Sequence, residues 1–394
     1  MRALAITGIG LVSPLGIGFP AFREGLAQPP GSVFRRESSV LSKEKLPDPI
    51  VAEVWNFDPT PFLGSKGLRN HDRLTLFLLV AAKQALEDAG LKRDGAHVVY
   101  TANRVGVCSA TAYGSLDSIN ELVEVSELQD PRFVNPNRFP NTVINSSAGY
   151  VSIWEDLRAP NVTVVDGNCG ALDAILICET HLANNRADAF LVGGGEVLSE
   201  PLYTAFRQLG VLAEGQRTYS PGSEGGQGMR VGEAVAYLVV EREADAKKRG
   251  ARTYGRVIGY GNTFEPPESE AALVHASALA VERTIQMALA DAGLEPSAIS
   301  AVAGALDGIA AFDRAELEAI ERVFGPDVPV LAPKALYGET FGAGGSLGVA
   351  AALAWLGGAE PRQLVRGRAG GALDNVLVLS TGFYGNASAV IVTR

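Results

Sequence analysis

The chain has 394 residues, of which 47% are hydrophobic and 45 are glycine, and its formal net charge is −10. This length suffices for two core-forming units, because one hydrophobic core rarely grows beyond about 250–300 residues. The acidic balance argues against a nucleic-acid-binding surface, and no segment approaches the roughly 20 apolar residues of a membrane span. Three cysteines without ligand or disulfide spacing, and a start lacking a signal peptide's apolar region, indicate a cytoplasmic protein. We expect neither a metal nor a cofactor.

Strands and helices alternate through the first part of the chain. In chain order the patterns predict strand 4–12, helix 19–27, an extended segment 29–61, helix 72–90, strand 104–109, helix 115–128, strand 162–165, helix 171–182, strand 187–196, strand 231–241 and helix 244–250. The glycines at 193–195 predict a turn that ends the strand before them. No Lys-Ser/Thr follows these glycines, so close backbone packing is favoured over a phosphate loop.

A second part begins with a glycine-punctuated strand, 254–263, and a long helix, 268–293. The helices 72–90 and 268–293 end on nearly the same sequence, Ala-Leu-Glu-Asp-Ala-Gly-Leu at 85–91 and Ala-Leu-Ala-Asp-Ala-Gly-Leu at 288–294. This similarity indicates an internal duplication. Alternating strands and helices in both parts predict mainly parallel sheets covered by helices.

The most informative segment is a β-branched strand at 162–165, a tight turn at 167–170 and a helix from 171. A strand, sharp turn and helix can hold a nucleophile at a helix N-terminus, where free N–H groups favour negative charge. The segment resembles the active-site elbow of the β-ketoacyl synthases, which carry Asn-x-Thr-Val and, four residues after that Val, the nucleophilic Cys. Aligned without gaps from Asn161, the nucleophile position falls on Asn168, and Cys169 lies one residue beyond.

Four further motifs resemble the same family along the chain: Val12-Ser-Pro-Leu-Gly16, the strand from Gly232-Glu-Ala, the loop Lys334-Ala-Leu-Tyr-Gly-Glu339 and the turn Gly382-Phe-Tyr-Gly385. The resemblance implies an α/β fold of the thiolase-like, five-layered αβαβα type with two pseudo-duplicated halves. We place an N-terminal β-ketoacyl-synthase-like half at 1–252 and a C-terminal one at 253–394. The elbow strand is expected to pair with its counterpart across a pseudo-two-fold axis, which would cover an exposed sheet edge.

The catalytic positions of the family are all changed in this chain. Condensing synthases of this type use a Cys and two His, and here the corresponding residues are Asn168, Ala305 and Glu339. An amide is not a nucleophile, and a carboxylate at 339 would repel a developing oxyanion. We expect Glu339 to form a structural ion pair with Lys334, and Asp313 with Glu316 to cap a helix start.

The triple loss resembles the chain-length factor, or β-subunit, of type II polyketide synthases, which lacks the Cys and pairs with a ketosynthase α-subunit. Typical β-subunits carry Gln at the elbow rather than Asn, so an aromatic or a polyene-type pathway both stay open. Because acyl carrier proteins are acidic like this chain, the carrier is expected to bind mainly through the partner. The resemblance also implies residues for the acyl tunnel and for the subunit interface. For the tunnel these are Cys108, Ala112, Tyr113, Leu116, Ile119 and Phe383, and for the interface Asn137, Arg138, Val162 and Val164.

Other interpretations stay open at this point. Cys169 could serve as the nucleophile of an atypical acyltransferase or condensing enzyme with Glu339 as base, although a small buried core Cys is the simpler interpretation. A self-paired homodimer that holds an acyl ligand without chemistry is a third hypothesis. Asn168 could fill the vacated site, adopt a left-handed turn, or do both, and the tunnel and interface residues could instead be ordinary packing.

Overall fold

The computed structural model describes residues 3–267, 269, 274–368 and 370–394. The strands are β1 (Leu4–Ser13), β2 (Gly16–Ile17), β3 (Val51–Ala52), β4 (Lys92–Arg93), β5 (Ala96–His97), β6 (Val105–Ala110), β7 (Asn161–Val164), β8 (Ala189–Glu196), β9 (Val231–Gly232), β10 (Ala234–Arg242), β11 (Gly255–Phe264), β12 (Ala301–Ala303), β13 (Val330–Leu331), β14 (Leu364–Arg366), β15 (Asn375–Thr381) and β16 (Asn386–Thr393). The helices are α1 (Phe19–Gly25), α2 (Thr60–Leu63), α3 (Arg73–Asp88), α4 (Leu116–Glu124), α5 (Ser146–Trp154), α6 (Gly170–Ala183), α7 (Glu200–Gln208), α8 (Glu243–Lys248), α9 (Ala278–Ala292), α10 (Ala310–Phe324), α11 (Lys334–Tyr337) and α12 (Gly344–Leu356).

Twelve strands of the described part of the chain form one mixed sheet in the order β14-β13-β12-β15-β16-β11-β1-β10-β8-β6-β7, with β2 beside β1. In this sheet the pairs within β8-β6-β7 and within β15-β12-β13 are parallel, while the pairs between these two groups and the terminal pair β13–β14 are antiparallel. The prediction of mainly parallel sheets was therefore wrong. One reason is local: the short glycine turn 382–385 joins β15 directly to β16, and so short a connection can link only antiparallel neighbours.

The two parts of the chain contribute strands in the same order and sense. The series β1-β10-β8-β6-β7 of the first part corresponds to β11-β16-β15-β12-β13 of the second. The two series meet where Leu4–Ile6 of β1 pairs antiparallel with Gly255–Val257 of β11. At the far end of the first series, β7 is the edge strand.

The helices pack on both outer faces and between the two series. On one outer face α3 and α5 contact β1, β10, β8, β6 and β7, and on the other α9 contacts β11, β16 and α10. Between them lie α6 and α12, which contact each other and strands of both series. Three apolar clusters match these contacts, since one surrounds α6 and α12 and the others lie under α3 and under α9. The helix α12 is buried along its length, as its uniformly apolar sequence requires.

The predicted amphipathic helix 72–90 is confirmed as α3. Asp72 caps the N-terminus of this helix, because its side chain accepts a hydrogen bond from the Thr75 amide at 2.8 Å. The corresponding helix α9 begins at Ala278, ten residues after its predicted start. Ser277 caps it, and 274–277 are not helical; residue 268, where the prediction began, lies outside the described residues.

The glycines at 193–195 lie within β8 rather than in a turn, which corrects the prediction. A Cβ at Gly194 would come within 2.3 Å of the Gly342 carbonyl oxygen, so the expected close backbone packing is confirmed. Within the described residues, no helix combines the length and apolarity needed to cross a membrane.

Candidate active-site elbow

The elbow forms where β7 ends, the 3-10 turn Gly167–Cys169 follows and α6 begins at Gly170. The left-handed residue of this turn is Gly167, with φ of 52°, whereas Asn168 has no positive φ. The interpretation of Asn168 as a left-handed turn residue is therefore wrong. Its side chain is buried and its Nδ2 has no hydrogen-bond partner among the described residues. Position 168 thus places a neutral amide inside the molecule.

Cys169 points away from any open space. Its side chain is fully buried, and its Sγ lies 3.5 Å from the carbonyl oxygen of Ser380. Burial raises the pKa of the Cys169 thiol well above its usual value, and the carboxylates of Asp173 and Asp166 add to the shift. A thiol in this environment stays protonated at neutral pH, which opposes a role as a nucleophile.

Glu339 and Lys334 form the expected ion pair. The Lys334 Nζ lies 2.5 Å from Glu339 Oε2, and both side chains are almost fully buried. The other oxygen of Glu339 accepts a hydrogen bond from the Phe341 amide at 2.6 Å. Although burial lowers the pKa of the Lys334 ammonium, Glu339 and Asp307 raise it above its usual value. Both oxygens of the carboxylate are therefore engaged in structural contacts.

The loop that carries Ala305 is held by buried carboxylates. Glu316 accepts a hydrogen bond from the Ala305 amide at 2.7 Å, and Asp313 accepts one from the Asp307 amide at 2.9 Å. The helix α10 begins three residues before Asp313, so the capping interpretation of Asp313 and Glu316 was wrong. The two carboxylates instead fix a loop, and burial raises the pKa of Glu316 to about 8.

Aromatic side chains fill the region beside Glu339. Phe341, which is fully buried and has φ of 44°, stacks on Phe206 with ring centroids 5.1 Å apart. Phe383 lies 5.7 Å from the Phe206 ring and 5.6 Å from the Phe312 ring. Tyr113 completes this aromatic cluster, 5.5 Å from Phe341. A left-handed conformation is costly for a bulky residue, so the surrounding packing must hold Phe341 in place.

The structure brings most of the predicted tunnel residues together. Ala112, Tyr113 and Leu116 are partly buried and pack against the cluster that contains Phe383. Ile119 is 37% exposed, one turn beyond Leu116 on α4. Cys108 does not join them, because it lies fully buried in the central core beside Cys178. The structure therefore gives no support to Cys108 as a tunnel residue.

Of the predicted interface residues, Val162 and Val164 lie on the edge strand β7, whereas Asn137 and Arg138 lie in the 3-10 segment Pro136–Thr142. Val162 and Val164 are half-buried and pack on the central cluster, and β7 itself ends at Val164. Val165, predicted to belong to a buried strand, follows β7 and is 52% exposed, so that prediction was wrong. Arg138 Nη1 lies 2.5 Å from Glu121 Oε2, and Asn137 is exposed.

One buried carboxylate of this region was missed from the sequence. Glu196, at the end of β8, accepts hydrogen bonds from the Ala112 amide at 2.7 Å and the Thr111 hydroxyl at 3.0 Å. Burial raises the pKa of Glu196 to about 7, although these hydrogen bonds oppose the shift. A charged residue that ends a continuous apolar strand was the signal that could have identified it. Among the described residues no group of three or more His, Cys, Asp or Glu could hold a metal ion.

Comparison with known proteins assigns the chain to one family. The profile of the β-ketoacyl synthase N-terminal domain matches residues 1–246, and that of the C-terminal domain matches 254–359. The chain belongs to the β-ketoacyl synthase family. Its relatives include the 3-oxoacyl-[acyl-carrier-protein] synthase 2 of Coxiella burnetii, which is 31% identical over 88% of this chain and 84% of that protein. The putative polyketide β-ketoacyl synthase 2 of Streptomyces halstedii is 32% identical over 100% of this chain and 97% of that protein.

Among solved structures, the ishigamide ketosynthase/chain length factor superposes with a TM-score of 0.88. The two sequences are 24% identical, and the alignment covers 100% of this chain and 99% of the other. This similarity shows the shared fold.

Proposed function

We propose that the chain is the non-catalytic β-subunit, or chain-length factor, of a type II polyketide synthase. It pairs with a ketosynthase α-subunit and shapes the tunnel into which the growing acyl chain extends. The observation that carries the proposal is the buried amide of Asn168 in the elbow, at the position that we assign to the nucleophile. The relative from Streptomyces halstedii, which is named as a putative polyketide β-ketoacyl synthase and matches along the whole chain, supports a role in polyketide synthesis.

The residues around the elbow support a non-catalytic role. Both oxygens of the Glu339 carboxylate are occupied, one by Lys334 and the other by the Phe341 amide, so Glu339 is not free to act as a general base. The aromatic cluster of Tyr113, Phe206, Phe312, Phe341 and Phe383 occupies the region beside it. The alternative of an acyltransferase that uses Cys169 is disfavoured by the burial of that thiol.

An exposed apolar face supports pairing with another subunit. It comprises α4, the turns 125–142, α5 and β7, which contact one another in series. Its side chains include Leu128 at 79%, Ile153 at 76% and Phe133 at 70% exposure. Soluble monomers rarely expose contiguous apolar patches of this kind, and the free edge of β7 adds unpaired backbone groups. A ketosynthase of the same fold offers a matching edge strand.

The same proposal includes the architecture and the tunnel. We assign the halves 1–252 and 253–394 and the five-layered αβαβα arrangement on the basis of the repeated strand order and the helix contacts. Leu116 and Ile119, one turn apart on α4, line the tunnel at its junction with the exposed apolar face. The acyl carrier protein is expected as the donor of the growing chain.

The decisive experiment is the intact mass of the isolated chain after incubation with acyl and malonyl thioesters of a carrier protein. We expect no adduct on this chain, and normal acylation of a ketosynthase added to the same mixture. A single acyl adduct that disappears in Cys169→Ala but persists in Cys178→Ala would overturn the proposal and establish an enzyme. Cys178 is a matched control because its thiol is also fully buried.

A further inference from the structure

The carboxylate of Glu196 joins two segments that are distant in sequence. One oxygen accepts hydrogen bonds from the Thr111 hydroxyl at 3.0 Å and the Tyr113 amide at 3.4 Å, and the other accepts one from the Ala112 amide at 2.7 Å. The Gly342 amide is a further donor to the same carboxylate. One buried side chain at the end of β8 therefore holds residues 111–113 against the turn at 341–343.

The same carboxylate fixes the approach to α4. The Thr111 hydroxyl, while donating to Glu196, accepts a hydrogen bond from the Gly114 amide at 2.9 Å. Gly114 is left-handed, with φ of 66°, and the chain turns there into α4. The Ser115 hydroxyl does not cap this helix but donates to Asp72. The position of α4 thus depends on a turn that Glu196 anchors.

Glu196 differs from two other buried glutamates, which have a cationic partner. Glu233 binds Arg73, and Glu339 binds Lys334. Glu196 forms no ion pair with any described residue, and its hydrogen-bond donors are neutral. Burial raises the pKa of Glu196 to about 7, and the hydrogen bonds oppose this shift without cancelling it. Both protonation states are therefore populated near neutral pH.

Few other charges act on this carboxylate. Burial and Tyr384 raise the pKa of Tyr113, and the carboxylates of Glu196 and Glu339 add to that shift, so these groups share one electric field. Among the elements that pack against β8, α12 and the turn 341–343 carry no titratable side chain. Titratable groups on the others have partners of their own: Arg73 of α3 binds Glu233, Asp173 of α6 binds Tyr260, and Tyr237 of β10 binds Ser109.

Protonation weakens the hold of Glu196 on its donors. An ionised carboxylate accepts hydrogen bonds at both oxygens, whereas in the protonated group one oxygen carries the hydrogen and becomes a donor. Hydrogen bonds to the ionised group are also roughly twice as strong. The amides of Ala112, Tyr113 and Gly342 therefore meet a strong acceptor above the pKa of Glu196 and a weaker one below it.

We propose that Glu196 is a positioning residue for the selection of product length. Its ionised carboxylate holds residues 111–115 and the start of α4 in place, and its protonation lets the tunnel wall at Leu116 and Ile119 yield to longer chains. The inference rests on the proposed function, since it takes this wall as part of the acyl tunnel. It adds a proton as a regulator of that tunnel.

The test is the product profile of the complex with a ketosynthase, supplied with malonyl thioesters of a carrier protein at pH 6 and pH 8. With a pKa of about 7, Glu196 is about 90% protonated at pH 6 and about 10% at pH 8. We expect the share of products longer than the main product to rise severalfold from pH 8 to pH 6. Glu196→Gln, which stays neutral, should give the high share at both pH values. No rise in the original chain, or the same rise in Glu196→Gln, would overturn the inference.

Asp173→Asn is the matched control. Burial raises the pKa of Asp173 to about 6, so this carboxyl titrates in a similar range. Its hydrogen bonds come from Tyr260 at 2.7 Å and Ser388 at 2.6 Å, and none comes from residues 111–115. The rise in longer products should persist in this variant. Loss of the rise in Asp173→Asn would count against a specific role of Glu196.

Hydrogen exchange of the isolated chain gives a second measurement, which needs neither a ketosynthase nor a folded variant. After correction for intrinsic exchange rates, the Ala112 and Tyr113 amides should be less protected at pH 6 than at pH 8. A change in global stability has the opposite sign, because burial of the ionised carboxylate destabilises the fold at pH 8. Equal protection at both pH values would overturn the inference. Native mass of the complex is recorded in parallel, so failure of subunit pairing counts against the proposed function, while the exchange result still decides the role of Glu196.

Discussion

At the scale of single residues, the buried pair of Lys334 and Glu339 is a structural contact of the candidate site. Glu339→Gln would leave a buried ammonium without its nearest carboxylate. Removing one partner of such a pair costs about 3 kcal/mol or more, because the remaining charge stays desolvated. We expect the free energy of unfolding, measured by urea titration, to fall by that amount.

Glu360→Gln is the control for this substitution. Glu360 pairs with Arg362 at the surface, where its side chain is 70% exposed, and solvent screens such pairs. We expect its unfolding midpoint to match that of the original chain. Equal midpoints for Glu339→Gln and Glu360→Gln would show that the buried pair contributes nothing.

The residues around Asn168 show which features of the candidate site can be predicted from the sequence. The motif count alone placed an amide at the nucleophile position, and it also predicted the ion pair of Glu339. The sequence also favoured a buried Cys169, which the structure confirms, but it did not indicate the contact with Ser380 of β15, because that strand is distant in sequence. The aromatic cluster was missed for the same reason, since Phe206 and Phe341 meet only in the folded chain.

At the scale of elements, Glu196 joins the end of β8 to the segment that leads into α4. Its pKa is raised to about 7 in the folded protein from an ordinary value of 4.5. Between these values the folded state binds a proton that the unfolded state lacks, so stability falls as pH rises from 5 to 8. This group alone accounts for about 2 to 3 kcal/mol of that fall.

Glu196→Gln is neutral throughout this range. Urea unfolding at pH 5 and pH 8 should therefore show a smaller loss of stability in the variant than in the original chain, by the same 2 to 3 kcal/mol. Other buried carboxyls such as Glu316 remain in both proteins and cancel in the comparison. An unchanged pH dependence would mean that Glu196 is ionised in the folded state.

Two residues of α4 test whether side-chain volume in the proposed tunnel limits the length of the product. Leu116 is partly buried and Ile119 is partly exposed, one turn apart on the same face of α4. If these two side chains line the acyl tunnel, Leu116→Ala or Ile119→Ala removes side-chain volume from its wall. The complex with a ketosynthase then makes longer products. Mass spectrometry of the products gives the readout. Leu279→Ala, a similarly exposed leucine on α9, should leave the products unchanged. The same product lengths in all three variants would remove α4 from the tunnel.

The helices and strands were not all predicted equally well from the sequence. The helix α3 was predicted well because its cap and apolar stripe are local signals. The start of α9 was misplaced because apolar residues before Ser277 continue the helical pattern, although the chain there pairs with Tyr384 through His275. Strand direction was predicted wrongly because alternation of strands and helices does not record which strands become neighbours.

At the scale of the whole molecule, two strand series of the same order are joined through β1 and β11, and they differ at their outer edges. The second half ends on the short strand β14, whereas the first ends on β7 with an apolar face beside it. The first edge is therefore suited to a partner. The weakly duplicated helix tails at 85–91 and 288–294 were the trace of this symmetry in the sequence.

Ile153 tests this asymmetry directly. It lies on α5 beside β7 and is 76% exposed, so Ile153→Lys should change the stability of the isolated chain little. A charge at the centre of a subunit contact would be desolvated without a partner, and we expect pairing with a ketosynthase to weaken by at least tenfold. Native mass spectrometry of the mixed subunits measures this. Met287→Lys, on the exposed side of α9, is the control and should pair normally. If Ile153→Lys pairs as well as Met287→Lys, the partner binds elsewhere, and the exposed apolar face beside β7 needs another explanation.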